Sequence, residues 1–324
     1  MRLSAPTRNH AEIVQAVVAS STAAGRAGFA ASWRRSMIHH KLDPARARVS
    51  DRLTAADIAA RREAAGLLLR VATPVLDRLA RAACEAGCAV FLSDAEGLVL
   101  EERMREADRR AFHGSNLAPG SDWSEGREGT NGIGTCLAEG RPVTVWRDQH
   151  FRATNTGLTC MGSPVHGARG ELAGVIDVSS AREDMTEGYA RLVALTVQDA
   201  ASRIEADLFR ASFEGARILS TGSAEESPQG VVLLALDRDD LVIGATRAAR
   251  RQLGLDEAQM GRVPATDLFG AKRDEGHGAL AEAQRAEMVR ALARSGGNVS
   301  AAARDLGIGR ATFYRKAKAL GLAV

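Results

Sequence analysis

The stretch NVSAAARDLGIGRATFYRKAKALGL, Asn298 to Leu322, decides how the end of this chain folds. Asn298 is a good helix N-cap, because its side-chain oxygen accepts a backbone N–H that the first turn leaves free. Ser300 to Asp305 is then a short Ala-rich helix. Gly307 ends it and supplies the permissive backbone of the turn. The small Ala303 lets a second helix, Arg310 to Leu320, cross closely. Ile308, Phe313, Ala317 and Leu320 fall at helical spacing and face a core. Arg310, Thr312, Arg315, Lys316 and Lys318 fall largely on the other side. An apolar face, a cationic face and a tight glycine turn together predict a helix-turn-helix whose second helix enters the major groove of double-stranded DNA. Arg310 and Arg315 are the candidates for base edges. Thr312 and Tyr314 are candidates for base or phosphate contacts, and Lys316 and Lys318 for phosphates. The other reading of these residues is an ordinary solvated pair of helices.

Charge is concentrated at the two ends. Residues 285–324 hold eight Lys and Arg against Glu287 and Asp305, a balance of +6. Residues 1–70 hold twelve against five, or +7, so a chain of net charge +3 has a middle, 71–284, near −10. Phosphate binding is driven by cations close to the backbone, so the local balance matters more than the total. The basic start is a second DNA-facing surface or a solvated helical face.

A chain of 324 residues is long enough for two or three domains with real cores. No run of 18 apolar residues suggests a membrane span, and the N-terminus does not read as a signal peptide. A cytoplasmic protein is expected, with Cys84, Cys88, Cys136 and Cys160 as reduced thiols. Cys84 and Cys88 are spaced to share one helical face. No matching His or Cys pair accompanies them, so neither a metal nor a cofactor is expected.

The side-chain period divides the chain. Residues 1–70 read as helical, with Thr54 and Asp57 in capping-box style. LLLRVATPVLDRLARAACEAG continues as amphipathic helix, which Pro74 should bend or restart. From Cys88 the period becomes that of strands: CAVFLSD, GLVLEERM, RPVTVW, GLTCMGSPVHG and ELAGVIDVSSA. Thr186 then caps a long helix running to Phe213. Helix, antiparallel sheet and helix in this order predict an α+β sensor over 71–210. Residues 211–278 read as a linker that contains the strand, turn, strand, helix pattern of 230–255, which resembles the start of a PAS-like module. The polar stretches 221–230 and 271–278 read as joints. The small all-α DNA-binding domain occupies 279–324.

The centre of the chain resembles a known family. N-G-I-G-T (Asn131–Thr135), A-E-G-R-P-V (Ala138–Val143), D-Q-H-F (Asp148–Phe151), T-C-x-x-x-P-V (Thr159–Val165) and G-x-L-x-G-V-I-D-V-S (Gly170–Ser179) look like the GAF domain of acetoin-catabolism-type regulators. SWRRSMIHHKLDP, Ser32–Pro44, resembles a segment at the N-termini of those proteins, and the C-terminal segment resembles their Fis-type helix-turn-helix. Such relatives usually carry a sigma-54-interacting ATPase between sensor and DNA-binding region. This sequence has no Gly-Lys dipeptide, hence no phosphate-cradling G-x-x-x-x-G-K-[ST] loop, and no GAFTGA-like loop. The expectation is a regulator that works without ATP hydrolysis.

The resemblance implies an effector pocket between the sheet and the loops over it. The candidates for it are Trp123, Asn131, Cys136, Trp146, Phe151, Thr159, Cys160 and Asp177. Asn131 serves turn geometry equally well, Cys160 reads also as a small core residue, and Trp146 stacks on a ligand or covers the core. His113, His150 and His166 match no metal or haem spacing. No hydrolase elbow or H-E-x-x-H is present. The glycines from Gly126 to Gly134 lack a lysine and a following helix suited to a phosphate loop, so no enzyme is expected. The expected function is a homodimeric DNA-binding transcriptional regulator that senses a small molecule. The alternatives are a modulator that forms mixed dimers with an ATPase-bearing relative, and a redox or gas sensor using Cys136 and Cys160.

Overall fold

Residues 6–20, 28–46, 52–220, 230–269 and 279–322 are described by the structure, a computed structural model. The joints read at 221–230 and 271–278 lie outside them, Gly230 excepted. The described chain forms two compact units, one ending at Ala265 and one running from Thr266.

The first unit opens with α1 (Pro6–Ala19) and α2 (Gly28–Arg34), and α2 runs on into a single π-helical turn, Arg35–His39. In α3 (Ala55–Ala64) the cap read at Thr54 is present: its hydroxyl accepts from the Asp57 amide at 3.2 Å. In α4 (Gly66–Ala83), Pro74 sits inside the helix and does not end it. Its apolar stripe, Leu68, Ala72, Val75, Leu76 and Leu79, is buried, as expected of a helix with one face on a sheet. Cys84 caps α4 and Cys88 opens the first strand. The two cysteines therefore share no helical face.

Five strands follow: β1 (Cys88–Asp94), β2 (Val99–Arg103), β3 (Val143–Trp146), β4 (Thr159–His166) and β5 (Leu172–Ser180). They form one antiparallel sheet in the order β2-β1-β5-β4-β3. The β1–β2 turn is closed by Asp94, whose Oδ1 accepts from the Leu98 amide at 2.9 Å, with Gly97 at φ +96°. Side chains alternate across the strands. Val90, Leu92, Met161, Ile176 and Val178 pack against α4 and against α8 (Glu187–Ser212), capped by Thr186. Phe91, Val99, Cys160 and Val175 face the other way. There α5 (Arg109–Gly114), α6 (Glu125–Glu128), α7 (Gly132–Glu139) and their loops cover them.

Beyond α8 the chain turns back as β6 (Arg217–Ser220), β7 (Leu233–Leu236) and β8 (Val242–Ala245), a three-stranded antiparallel sheet in that order. α9 (Arg247–Leu253) follows, capped by Thr246, and then the short α10 (Ala265–Leu268). Sequence periodicity anticipates β7, β8 and α9, and misses β6. The small sheet shares a core with the end of α8 through Ala206, Phe209, Leu233 and Ala235.

The second unit is helical: α11 (Ala279–Arg294), α12 (Val299–Asp305) and α13 (Arg310–Ala319). Met288, Ala291, Ala302, Ala303, Phe313, Ala317 and Leu320 form its core, with Ile308 packed against it. Phe313 is fully buried, and truncation of such a side chain costs about 3–5 kcal/mol. Among the described residues, no helix is long and apolar enough to cross a membrane.

Candidate functional site

Two regions hold the candidate residues. In the helical unit, Asn298 Oδ1 accepts from the Ala301 amide at 3.1 Å, which occupies it as a cap. Gly307 takes φ +65° and lets α13 cross α12. Arg310, Tyr314, Arg315 and Lys318 are exposed, and Thr312 and Lys316 are half-buried. The Arg310 guanidinium lies 5.7 Å from the Tyr314 ring centre, a cation–π contact that pre-orients both. Lys316 Nζ donates to Gln284 Oε1 at 3.4 Å. Arg290 and Arg294 are tied to Glu287, and Arg294 also to Asp305 at 2.6 Å. Arg310, Arg315 and Lys318 carry no ion pair among the described residues, so their charge is available to an outside anion.

In the sensor, α7 lies directly on the sheet. A Cβ at Gly132 would stand 2.3 Å from Asp177 Oδ1 and 2.5 Å from Cys160 Cβ, and one at Gly162 would meet the Gly132 carbonyl at 2.4 Å. The N-G-I-G-T motif is thus a helix start that permits contact between a helix backbone and a sheet. The last of the glycines of Gly126–Gly134 lie in the first turn of this helix, α7. Its cap is Asn131, whose Oδ1 accepts from the amides of Ile133 (2.9 Å) and Gly134 (2.8 Å). Asn131 Nδ2 donates to the carbonyls of Trp123 (3.0 Å) and Gly129 (2.8 Å). These four bonds engage both ends of the amide.

Beneath α7 runs a chain of buried polar groups. His150 Nδ1 donates to the Arg147 carbonyl at 2.9 Å, and its Nε2 stands 3.3 Å from Cys160 Sγ. Ser179 Oγ lies 3.1 Å from that sulfur and donates to Asp177 Oδ2 at 2.6 Å. Asp177 Oδ1 is buried with no hydrogen-bond partner among the described residues. Burial pushes the Asp177 carboxyl up to about 6, opposed by the Ser179 hydrogen bond. Burial likewise lowers His150 to about 4, so its imidazole is neutral near pH 7. The Cys136 and Cys160 thiols are pushed well up by burial and by the Asp177 charge. Thiols held in the protonated form are poor nucleophiles, which argues against redox chemistry at these positions.

Of the eight residues implied for the pocket, Trp123, Asn131, Cys136, Cys160 and Asp177 lie together under or beside α7. Trp123 Nε1 donates to the Asn116 carbonyl at 2.9 Å. Trp146 packs on the opposite face, against the α4–α8 core, with the Arg147 guanidinium 5.5 Å from its ring. Thr159 pairs with Trp146 and is buried at a strand position two before Met161, on that opposite face. Phe151 packs with Val14 and Trp33 of the N-terminal helices. His150 and Ser179 join the buried chain without having been singled out as pocket residues. Their signal was present, since D-Q-H-F and V-I-D-V-S supply both.

The N-terminal S-W-x-R-S segment completes the sensor. Ser32 Oγ donates to the Glu125 carboxylate and lies 2.6 Å from Thr130 Oγ1. Trp33 Nε1 donates to the Gln149 carbonyl at 2.8 Å, and Arg35 clamps Glu125 through Nε at 2.9 Å and Nη2 at 3.0 Å. Arg35 also reaches Glu139 at 3.3 Å. Glu125 is 4 % exposed, and a buried carboxylate requires such partners.

The family described as MimR, N-terminal domain, matches residues 9–206, more than half of the chain. The chain belongs to this MimR N-terminal-domain family. A second match, over residues 279–320, is to bacterial regulatory proteins of the Fis family, so a Fis-type helix-turn-helix follows the MimR-type domain. The chain is 29 % identical to the acetoin catabolism regulatory protein of Cupriavidus necator, over 82 % of this chain and 41 % of that protein. It is 37 % identical to the propane 2-monooxygenase operon transcriptional activator MimR of Mycolicibacterium smegmatis, over 35 % of this chain and 20 % of that one. The chain thus spans about two fifths of the first relative's length or less of the others'. These relatives are transcriptional regulators. The DhaR(N)–DhaL complex of E. coli resembles the chain in fold, with TM-score 0.50 and 19 % identity over 74 % of this chain and 80 % of that one. It supports the antiparallel GAF-like architecture of the MimR-type domain.

Proposed function

We propose that this protein is a sequence-specific DNA-binding transcriptional regulator that acts as a homodimer in the cytoplasm, without catalysing a reaction or hydrolysing ATP. The observation that carries the proposal is the uncommitted cationic face of α13 on a Fis-type unit: Arg310, Arg315 and Lys318 are exposed and free of ion pairs among the described residues. Arg310 and Arg315 read base edges, Thr312 and Tyr314 contact bases or phosphates, and Lys316 and Lys318 hold phosphates. Residues 279–324 form the DNA-binding domain. A dimer reads two half-sites about one helical turn apart.

The sensor binds a small molecule beneath α7. Its recognition group is Asp177, whose bare Oδ1 accepts a hydrogen bond from an effector hydroxyl, amide or ammonium. Because α7 occupies that space, binding shifts the helix, and the shift is relayed through the sheet to α8. The test is selection of fragmented genomic DNA by the purified protein, with and without ATP. A short two-fold-symmetric site, recovered equally in both arms and lost in Arg315→Ala, is the expected result. Sequence-specific affinity retained by Arg315→Ala overturns the assignment.

A further inference from the structure

A second cleft, away from α7, lies in the first unit where the sensor meets the three-stranded sheet. It has a volume of about 210 Å³. Its walls are the Gly140–Pro142 loop after α7, the end of β4, the middle of α8, and α9. Arg247 and Arg251, one turn apart on α9, both line it. Like charges four residues apart on a helix repel. Neither arginine has an ion pair among the described residues. Arg247 is half-buried, and its one bond is a long one, 3.4 Å, to the Gly140 carbonyl. Burial and the neighbouring Arg251 lower its pKa, opposed in part by the Glu205 carboxylate.

The carboxylate of Glu205 also lines the cleft and partly offsets this charge, and one of its oxygens is engaged elsewhere. Its Oε1 accepts from the His166 amide at 2.8 Å and from His166 Nδ1 at 2.7 Å. Arg141 stands at the same cleft, paired with Glu139. Ser163 offers a hydroxyl donor at the same cleft. It lines the cleft, is 4 % exposed, and its hydroxyl bonds to nothing among the described residues.

We infer that this cleft binds a small oxyanion, the carboxylate or phosphate of a metabolite-sized molecule, gripped by Arg247 and Arg251 with Ser163 donating to it. The volume lies below the roughly 300–1,000 Å³ of ordinary small-molecule pockets, which selects a compact ligand. Guanidinium groups match carboxylate and phosphate geometry in two-pronged fashion. Because the walls come from α8 on one side and α9 on the other, the bound anion ties the sensor to the three-stranded sheet. The site is separate from the DNA interface and from the space under α7, and it is measured on the protein alone.

The experiment is calorimetric titration of the full chain with inorganic phosphate and, separately, with succinate, at ionic strength held constant with potassium chloride. Saturable binding of one or both is expected, weakened at least tenfold in Arg251→Ala and in Arg247→Ala and unchanged in Arg191→Ala on the far end of α8. Saturation by phosphate alone identifies a phosphoryl ligand, and saturation by succinate alone a carboxylate. Arg251 is exposed and has no hydrogen bond or ion pair among the described residues, so Arg251→Ala reads binding directly. Arg247→Lys keeps the charge without the fork and should lie between wild type and Arg247→Ala. No saturable binding of either anion, or equal affinity in wild type and Arg251→Ala, overturns the inference.

Discussion

Asn131 and Asp177 sit on the same buried face of the sensor and differ in one respect: Asn131 engages both ends of its amide and Asp177 leaves one oxygen bare. The first was half legible in the sequence, because Asn followed by Gly announces a turn. The orphan oxygen was not, since it depends on which side chains cross the sheet. Its thermodynamic sign is definite. A carboxyl raised to about 6 in the folded state, above its ordinary value of 3.8, binds its proton more tightly when folded. The stability it contributes is complete below pH 3.8 and is lost as pH rises through 6, at most about 3 kcal/mol. Asp177→Asn should therefore raise Tm by several degrees at pH 7.5, with the gain shrinking toward zero below pH 4 in melts followed by circular dichroism. The opposite pH trend would show that the carboxylate is satisfied in solution. His150, lowered to about 4, acts in the other direction: its contribution is lost as pH falls from 6.5 toward 4. It is common to both proteins and largely cancels from the comparison.

At the scale of elements, capped helices were the most legible. Thr54, Thr186 and Asn298 each cap the helix that the sequence assigns to them. Two elements were hidden for a physical reason. α7 holds two glycines in its first turn, which lowers intrinsic helicity, and it is a helix because Asn131 caps it and the sheet receives it. β6 is four residues long with its side chains only partly covered, so it offers no alternation to read. The close seat of α7 gives a sharp prediction. Gly132→Ala forces a methyl against Asp177 and Cys160 and should destabilise the sensor by about 1–3 kcal/mol or more in urea unfolding. Gly157→Ala, where a Cβ meets nothing within 4 Å, should change stability by less than about 0.5 kcal/mol. Equal effects in the two variants would mean that α7 does not rest on the sheet.

At the scale of the whole molecule, charge is the feature that composition hides and distribution shows. A net +3 divides into basic ends and an acidic middle. Cations on α13 make DNA affinity a steep function of salt. Between 50 and 200 mM potassium chloride the affinity should fall about 10³–10⁵-fold if a dimer contacts six to ten phosphates. Lys318→Ala should reduce the slope of log K against log salt by about one per lysine removed and leave the preferred sequence unchanged. A salt-independent complex would place the binding energy elsewhere. The family resemblance was legible across both ends and the centre of the chain because its motifs are contiguous. The S-W-x-R-S segment was legible as a motif and silent about its purpose, which needs Glu125 beside it in space.

That buried clamp fixes where the molecule can be cut. Ser32 and Arg35 reach across ninety or more positions to Glu125. A fragment beginning near residue 71 would strand the carboxylate. Breaking such a pair costs about 3–5 kcal/mol, toward the lower end here because Arg35 is 36 % exposed. The opening helices are therefore a portion of the sensor's own interior and no detachable tail. A chimera that fuses this unit to a foreign output module should tolerate a junction after Ala265, where the first unit ends, and should reject one placed between Pro44 and Leu68.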